Sequence, residues 1–139
     1  MRMKMDKKIH TFPIRIYYED TDTAGVVYYA NYLKFAERAR TEALRSVGID
    51  QSNLFSEHKI GFVVRRCVMV FLKPAKLDDL LTIETKLHDI NKVSLNMIQN
   101  IKLGGETLVE LEIKLAVVDE KMKLAKLPEI IQKAMQGIL

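Results

Sequence analysis

The chain has 139 residues, 48% of them hydrophobic, which fits one domain with a sizeable core. Its formal net charge of +4 is carried in part by Met1-Arg2-Met3-Lys4-Met5-Asp6-Lys7-Lys8, and no dense basic stripe with interleaved aromatics accompanies it, which argues against nucleic-acid binding. A single cysteine excludes an internal disulfide and a cysteine metal cage, no apolar run reaches 18 residues, and the basic start lacks the apolar region of a secretory signal, so a reducing, cytoplasmic setting without a transmembrane segment is expected.

Residues 1–9 read as a flexible N-terminal segment and 10–139 as a single domain. Phe12, Ile14, Ile16 and Tyr18 alternate with Pro13, Arg15 and Tyr17, which predicts a half-buried strand. Pro13, with no N–H to donate, places its start at an edge or outside the ladder. An acidic turn follows. From Asn31 to Val47 the apolar spacing changes to threes and fours, through Leu33, Ala36, Ala43, Leu44 and Val47, which predicts a helix. Asn31 is the expected N-cap and Gly48 the residue after the C-cap. Ala36, Ala39 and Ala43 on one face predict close packing on a sheet, while Glu37, Arg38, Arg40, Glu42 and Arg45 predict a charged surface.

Asp50 to Lys59 is polar, with one helical turn around Asn53–Glu57. Gly61 to Leu72 is β-branched and apolar on both faces, which reads as a long central strand ended by Lys73-Pro74-Ala75. Three further alternating runs follow, at Leu81–Leu87, Val93–Asn100 and Val109–Val117. They are separated by Asn91-Lys92 and by Gly104-Gly105, a hairpin signal. Pro128 opens a last short helix that Gly137 stops. The order predicts an α+β domain: one strand, one long helix, four strands as an antiparallel meander, and a C-terminal helix. One amphipathic helix covers only one face of a five-stranded sheet, so burial of the rest by dimerisation, through an edge or a face, is expected.

The chemistry concentrates in Tyr17-Tyr18-Glu19-Asp20-Thr21-Asp22-Thr23-Ala24-Gly25-Val26-Val27-Tyr28-Tyr29-Ala30-Asn31-Tyr32. Three carboxylates in four residues repel one another at a strand-to-helix turn, where the first N–H groups of the helix have no internal partner. A carboxylate beside free N–H donors is the minimum kit for acyl transfer: one group to attack or to activate water, and donors for a developing oxyanion. A capped helix start with solvated acids is the alternative reading of the same residues. The modest positive charge suits a phosphorylated ligand such as a nucleotide-bearing thioester.

The stretch Tyr18 to Glu42, with a second block from Phe62-Val63-Val64-Arg65 through Pro74-Ala75-Lys76-Leu77-Asp78-Asp79, resembles the hotdog-fold acyl-CoA thioesterases. More closely it resembles their YbgC, Tol-Pal-associated branch, which is related to 4-hydroxybenzoyl-CoA thioesterase. The resemblance covers roughly residues 10–120. It implies a hotdog fold, a curved antiparallel sheet wrapped around one long helix, with active sites at the interface of a homodimer or homotetramer. It implies an acyl-CoA substrate, or an acyl carrier protein thioester, hydrolysed with no metal or other cofactor; coenzyme A enters only as part of the substrate. By the resemblance Asp22 is the catalytic carboxylate, nucleophile or general base, and the backbone N–H of Tyr29 polarises the thioester carbonyl. The YbgC branch usually carries His at this position and the 4-hydroxybenzoyl-CoA branch Tyr. A tyrosine, with its pKa near 10, does not replace an imidazole as an acid–base near neutrality, so the exchange fits a backbone role and leaves any side-chain role open.

Gly25 is expected at positive φ or at a close approach to substrate. Val26, Tyr28 and Tyr32 are candidate lining residues, with core packing as the other reading of the tyrosines. Val64, Arg65 and Lys73 are candidate substrate contacts, the last two to phosphates; for Arg65 a buried pair with Glu37 or Glu42 is the other reading. Cys67 reads as a small core residue. His10, His58 and His88 have no ligand spacing, and no metal is assigned. Two other functions remain open at this stage: a hotdog dehydratase or hydratase, and a non-catalytic acyl-CoA or acyl-carrier-protein binding module.

Overall fold

The computed structural model describes residues 8–138. The frayed segment expected at residues 1–9 lies almost wholly outside the described residues. The elements in order are β1 (His10–Arg15), α1 (Asn31–Ser46), α2 (Gln51–His58), β2 (Ile60–Phe71), β3 (Leu80–Ile90), β4 (Ser94–Leu103), β5 (Glu106–Asp119) and α3 (Glu129–Met135). The strands form one antiparallel sheet in the order β1-β3-β4-β5-β2, with α1 on its inner face: the hotdog arrangement.

The packing follows from the side-chain periods. On α1 the alanines Ala36, Ala39 and Ala43 are fully buried, and their size lets the helix lie close on the sheet. The sheet answers with Leu81, Ile83 and Leu87 of β3, Leu95, Met97 and Ile101 of β4, and alternate residues of β5 from Val109 to Val117, all buried. Helix α1 starts at Asn31 with Ala30 as N-cap, so Asn31 is not the cap. Its side-chain amide donates instead to the Asp20 carbonyl at 2.9 Å. The other end is as expected. Gly48 at φ +85 lets its own N–H reach the Arg45 carbonyl and the Ile49 N–H reach Leu44, both at 3.0 Å, which closes the helix with a Schellman motif. Helix α2 is two turns rather than one, because the Asp50 carboxylate caps it by accepting the Ser52 N–H at 3.0 Å.

Strand β2 differs from expectation in two ways. It is not central but forms one end of the sheet, and it pairs with β5 rather than with β3, so only β3-β4-β5 is a meander. Its apolar residues on both faces reflect an uncovered surface, not burial between neighbours. Val64 is 51% and Phe71 50% exposed, and Cys67, expected in the core, is exposed on the same edge. Because β2 and β3 sit at opposite ends of the paired strands, the chain between them must cross under the sheet end. That crossover carries Pro74, Ala75 and Lys76 to the acidic turn, where Val27 N–H donates to the Ala75 carbonyl at 2.9 Å and Val26 bridges Lys76. Pro13 lies on β1, the other edge strand, as its missing N–H requires.

Arg40 also departs from expectation. Instead of joining the charged face it turns partly inward, and its Nη1 donates to the Gln99 Oε1 at 3.0 Å. Gln99 is fully buried, and its Nε2 donates to the Ala36 carbonyl and to Thr85 Oγ1, both at 2.9 Å. Burial pulls the guanidinium pKa below its ordinary value, opposed by nearby Glu37. The surface pair on α1 is Arg45 with Glu42, at 3.2 Å.

Candidate active site

The acidic turn is a stitched structure rather than a loose loop. Tyr17 N–H donates to Asp20 Oδ2 at 2.8 Å, and Tyr18–Asp20 make one 3-10 turn, so Asp20 is a cap. Glu19 is exposed. Asp22 follows. Its Oδ1 accepts the Ala24 N–H at 2.9 Å, its carbonyl accepts Gly25 N–H at 3.0 Å, and its N–H donates to the Val26 carbonyl at 2.9 Å. This closed turn needs Gly25 at φ +78. The Asp22 side chain is exposed, and its second oxygen accepts no hydrogen bond among the described residues.

Asp20 ties this turn to the start of α1. Its carbonyl accepts the Tyr28 N–H and the Asn31 side-chain amide, both at 2.9 Å. Asn31 N–H then donates to Tyr28, Tyr32 N–H to Tyr29, and Leu33 N–H to Ala30. Between these bonds the N–H groups of Tyr29 and Ala30 have no acceptor among the described residues. A carboxylate with a free oxygen and two free N–H groups at a helix entry are thus held by one set of backbone bonds.

Beside them lies a cavity of about 280 Å³ lined by Val27, Tyr29, Tyr32, Phe71, Leu72, Lys73 and Pro74. Its wall is aromatic: Tyr29 meets Phe71 edge-on at 6.2 Å between centroids, and Tyr32 meets Phe71 at 5.9 Å. Tyr32 is buried, and its hydroxyl accepts the Ala75 N–H at 3.1 Å. Burial pushes its phenol pKa up, partly offset by that N–H and reinforced by Asp79, so it stays neutral across the physiological range. Tyr29, by contrast, is 61% exposed and Tyr28 packs on it at 5.0 Å.

Of the residues singled out from sequence, Tyr29, Tyr32 and Lys73 meet in this cavity, while Asp22, Gly25, Val26 and Tyr28 form the turn beside it. Val64 and Arg65 lie outside it, exposed on the free edge of β2. Arg65 has no ion pair with Glu37 or Glu42; the register shift between Val64 and Arg66 marks a bulge there. Lys73 pairs with Glu106 at 2.8 Å, both exposed. Phe71, Leu72 and Pro74 are lining residues that sequence reasoning missed. They join the site only through the crossover, and the hydrophobic end of β2 before a proline was the one local sign of them. Among the described residues, no group of three or more His, Cys, Asp or Glu is placed to hold a metal.

The model of the thioesterase-like superfamily matches residues 17–135, nearly the whole described chain. The chain belongs to this family. Within it, the chain is 41% identical over 125 residues to acyl-CoA thioesterase YbgC of Haemophilus influenzae, covering 89% of this chain and 92% of the relative. It is 43% identical over 129 residues to acyl-CoA thioester hydrolase YbgC of Escherichia coli, covering 91% and 96%. A crystal structure of a probable thioesterase from Bartonella henselae superimposes with a TM-score of 0.83 at 39% identity, over 86% of this chain and 99% of that one. The resemblance read from the Tyr18–Glu42 block is therefore borne out, and the thioesterase family makes this chain a thioester hydrolase. No helix among the described residues is long and apolar enough to cross a membrane.

Proposed function

We propose that this thioesterase hydrolyses an acyl-CoA thioester to a free carboxylic acid and CoA, with Asp22 as the acting carboxylate. The observation that carries the reading is a free Asp22 oxygen on a turn hydrogen-bonded to the start of α1, where the N–H groups of Tyr29 and Ala30 are free and Tyr29 lines an aromatic-walled cavity. The acyl group enters that cavity, and the thioester carbonyl oxygen accepts the Tyr29 N–H. Asp22 either adds to the carbonyl carbon, giving an anhydride that water opens, or takes a proton from water as it adds; both routes expel CoA as the thiolate, which is protonated. The N–H groups hold the charge that develops on oxygen. A backbone donor does not depend on the side chain it carries, which reconciles Tyr29 with the chemistry. Lys73 and Arg65 supply positive charge for the phosphates of CoA.

The site is completed by a second copy of the chain. A 12-residue edge strand with half-exposed Val64 and Phe71 presents a full row of backbone donors and acceptors, the kind of edge a protein covers. Antiparallel pairing of β2 with β2 of a second protomer covers it and brings Val64 and Arg65 of one copy toward the site of the other. The protein acts in the cytoplasm, where acyl-CoA is made and used.

Hydrolysis of a panel of short, long and aromatic acyl-CoAs, read by free-thiol release, tests the reading. Asp22→Asn lowers kcat by at least roughly 100-fold with mass and folding unchanged. Turnover that survives in the Asn variant refutes the role of Asp22. Saturable acyl-CoA binding with no turnover by the native chain refutes the hydrolytic reading. Light scattering reads the assembly, and a mass equal to one 16.0 kDa chain at working concentration refutes the paired edge.

A further inference from the structure

On the outer face of the sheet, away from α1, two cations stand side by side without an ion-pair partner among the described residues. Arg66 on β2 stands directly opposite Lys114 on β5. Like charges directly opposite one another on adjacent strands destabilise the pairing. Among the described residues no carboxylate is within ion-pairing distance of either; the ion pairs all lie elsewhere. Asp89, in the same cross-strand row, is already engaged: it accepts the Asn96 side-chain amide, and Asn96 pairs with Asp89 on one side and with Lys114 on the other. Two register shifts converge here. One, between Val64 and Arg66, sits beside Arg66; the other, between Leu87 and Asp89, makes His88 the extra residue of its strand. Bulges of this kind re-aim side chains beside sites.

Arg66, His88, Asn96, Glu112 and Lys114 line one cavity of about 220 Å³. That is below the roughly 300–1,000 Å³ of ordinary small-molecule pockets and suits one anionic group with its water. We propose that this cavity binds a phosphate-class oxyanion. The guanidinium of Arg66 supplies a forked donor and Lys114 a point charge. The second N–H of the Asn96 amide and a ring N–H of His88 complete the donors. Among the lining residues Glu112 is the repulsive group, and it sets a test that a loss of folding cannot imitate. The site is separate from the thioester cavity, and its existence does not depend on the acyl-CoA reading.

The full chain is titrated calorimetrically with inorganic phosphate and with adenosine 3′,5′-bisphosphate. Lys114→Gln weakens both by about tenfold or more, as loss of one charged hydrogen bond requires, while Glu112→Gln tightens both several-fold. Tighter binding of the nucleotide than of phosphate, lost in Lys114→Gln, assigns the site to a phosphate borne on a larger molecule; equal binding assigns it to the free anion. Absence of saturable binding of either probe, binding unchanged in Lys114→Gln, or failure of Glu112→Gln to tighten it overturns the proposal.

Discussion

The Arg40–Gln99 network is the most exposed point of the reasoning about stability. Gln99 is fully buried and makes three hydrogen bonds: it accepts from Arg40 at 3.0 Å and donates to the Ala36 carbonyl and to Thr85, both at 2.9 Å. Gln99→Leu keeps the size and removes all three. The bond to the guanidinium is worth about 2 kcal/mol because one partner is charged, and the two neutral bonds about 1 kcal/mol each. The expected loss is therefore about 4 kcal/mol, before the added methyl contacts return a fraction of it. The guanidinium is the costly survivor, since it stays partly buried with no carboxylate partner among the described residues. Removing it as well relieves that cost. The double variant Arg40→Leu/Gln99→Leu is therefore more stable than the two single losses summed, by about 1.5–3 kcal/mol. Urea unfolding at one fixed protein concentration, with equal m-values, measures all four corners of the cycle. A Gln99→Leu cost below about 1 kcal/mol, or additivity within about 0.5 kcal/mol, refutes the argument that the network is held by mutual satisfaction.

Tyr29→Phe keeps kcat within about threefold, because the proposed oxyanion donor is the main-chain N–H; losing that donor itself would cost about 100-fold or more, so a loss of that size in the Phe variant refutes the backbone role. Gly48→Ala destabilises by about 1–2 kcal/mol from backbone strain alone, since an added Cβ meets nothing within 4 Å; thermal unfolding reads it, and an unchanged Tm refutes the left-handed C-terminal cap. The Ser52 hydroxyl and N–H hold the Asp50 carboxyl below its ordinary value. A carboxyl depressed in the folded state stabilises above its unfolded pKa, about 3.9, and that contribution is lost as pH falls through the folded value. Urea midpoints of native and Asp50→Asn protein therefore differ at pH 6 and converge as the pH is lowered below the ordinary carboxylate range; a gap that widens on acidification refutes the cap.

What was legible in the sequence follows from which interactions are local. The alternation of β3, β4 and β5, the alanine face of α1 and the glycine after it are written in spacings of two, three and four residues and lie where the spacing puts them. The first alternating run does not reach Tyr18, because β1 ends at Arg15 and Tyr18 is exposed in the 3-10 turn. Asn31 was misread because a cap is a matter of geometry: the same amide satisfies the Asp20 carbonyl eleven residues earlier rather than the helix it begins. Gln99 lies within the alternating run Val93–Asn100 with nothing to set it apart, and Arg40 reads as one more surface charge. Their bond joins residues 59 apart, and no period in the sequence connects them.

The misplacement of β2 reaches the function. Apolar residues on both faces of a strand state only that both faces are to be covered, not by what. Read as burial between neighbours in one chain, the pattern gave a central strand. The sheet order leaves that strand at the edge, with Val64 and Phe71 half exposed. The same displacement forces the crossover that lays Pro74 and Ala75 against the acidic turn and brings Phe71 to Tyr29. A strand moved from the centre to the edge thus supplies one wall of the cavity and, in the proposed dimer, the surface on which a second copy closes it. Edge placement and site construction are one feature of this chain: substitutions that disturb the edge pairing of β2 lower turnover even though they lie far in sequence from Asp22.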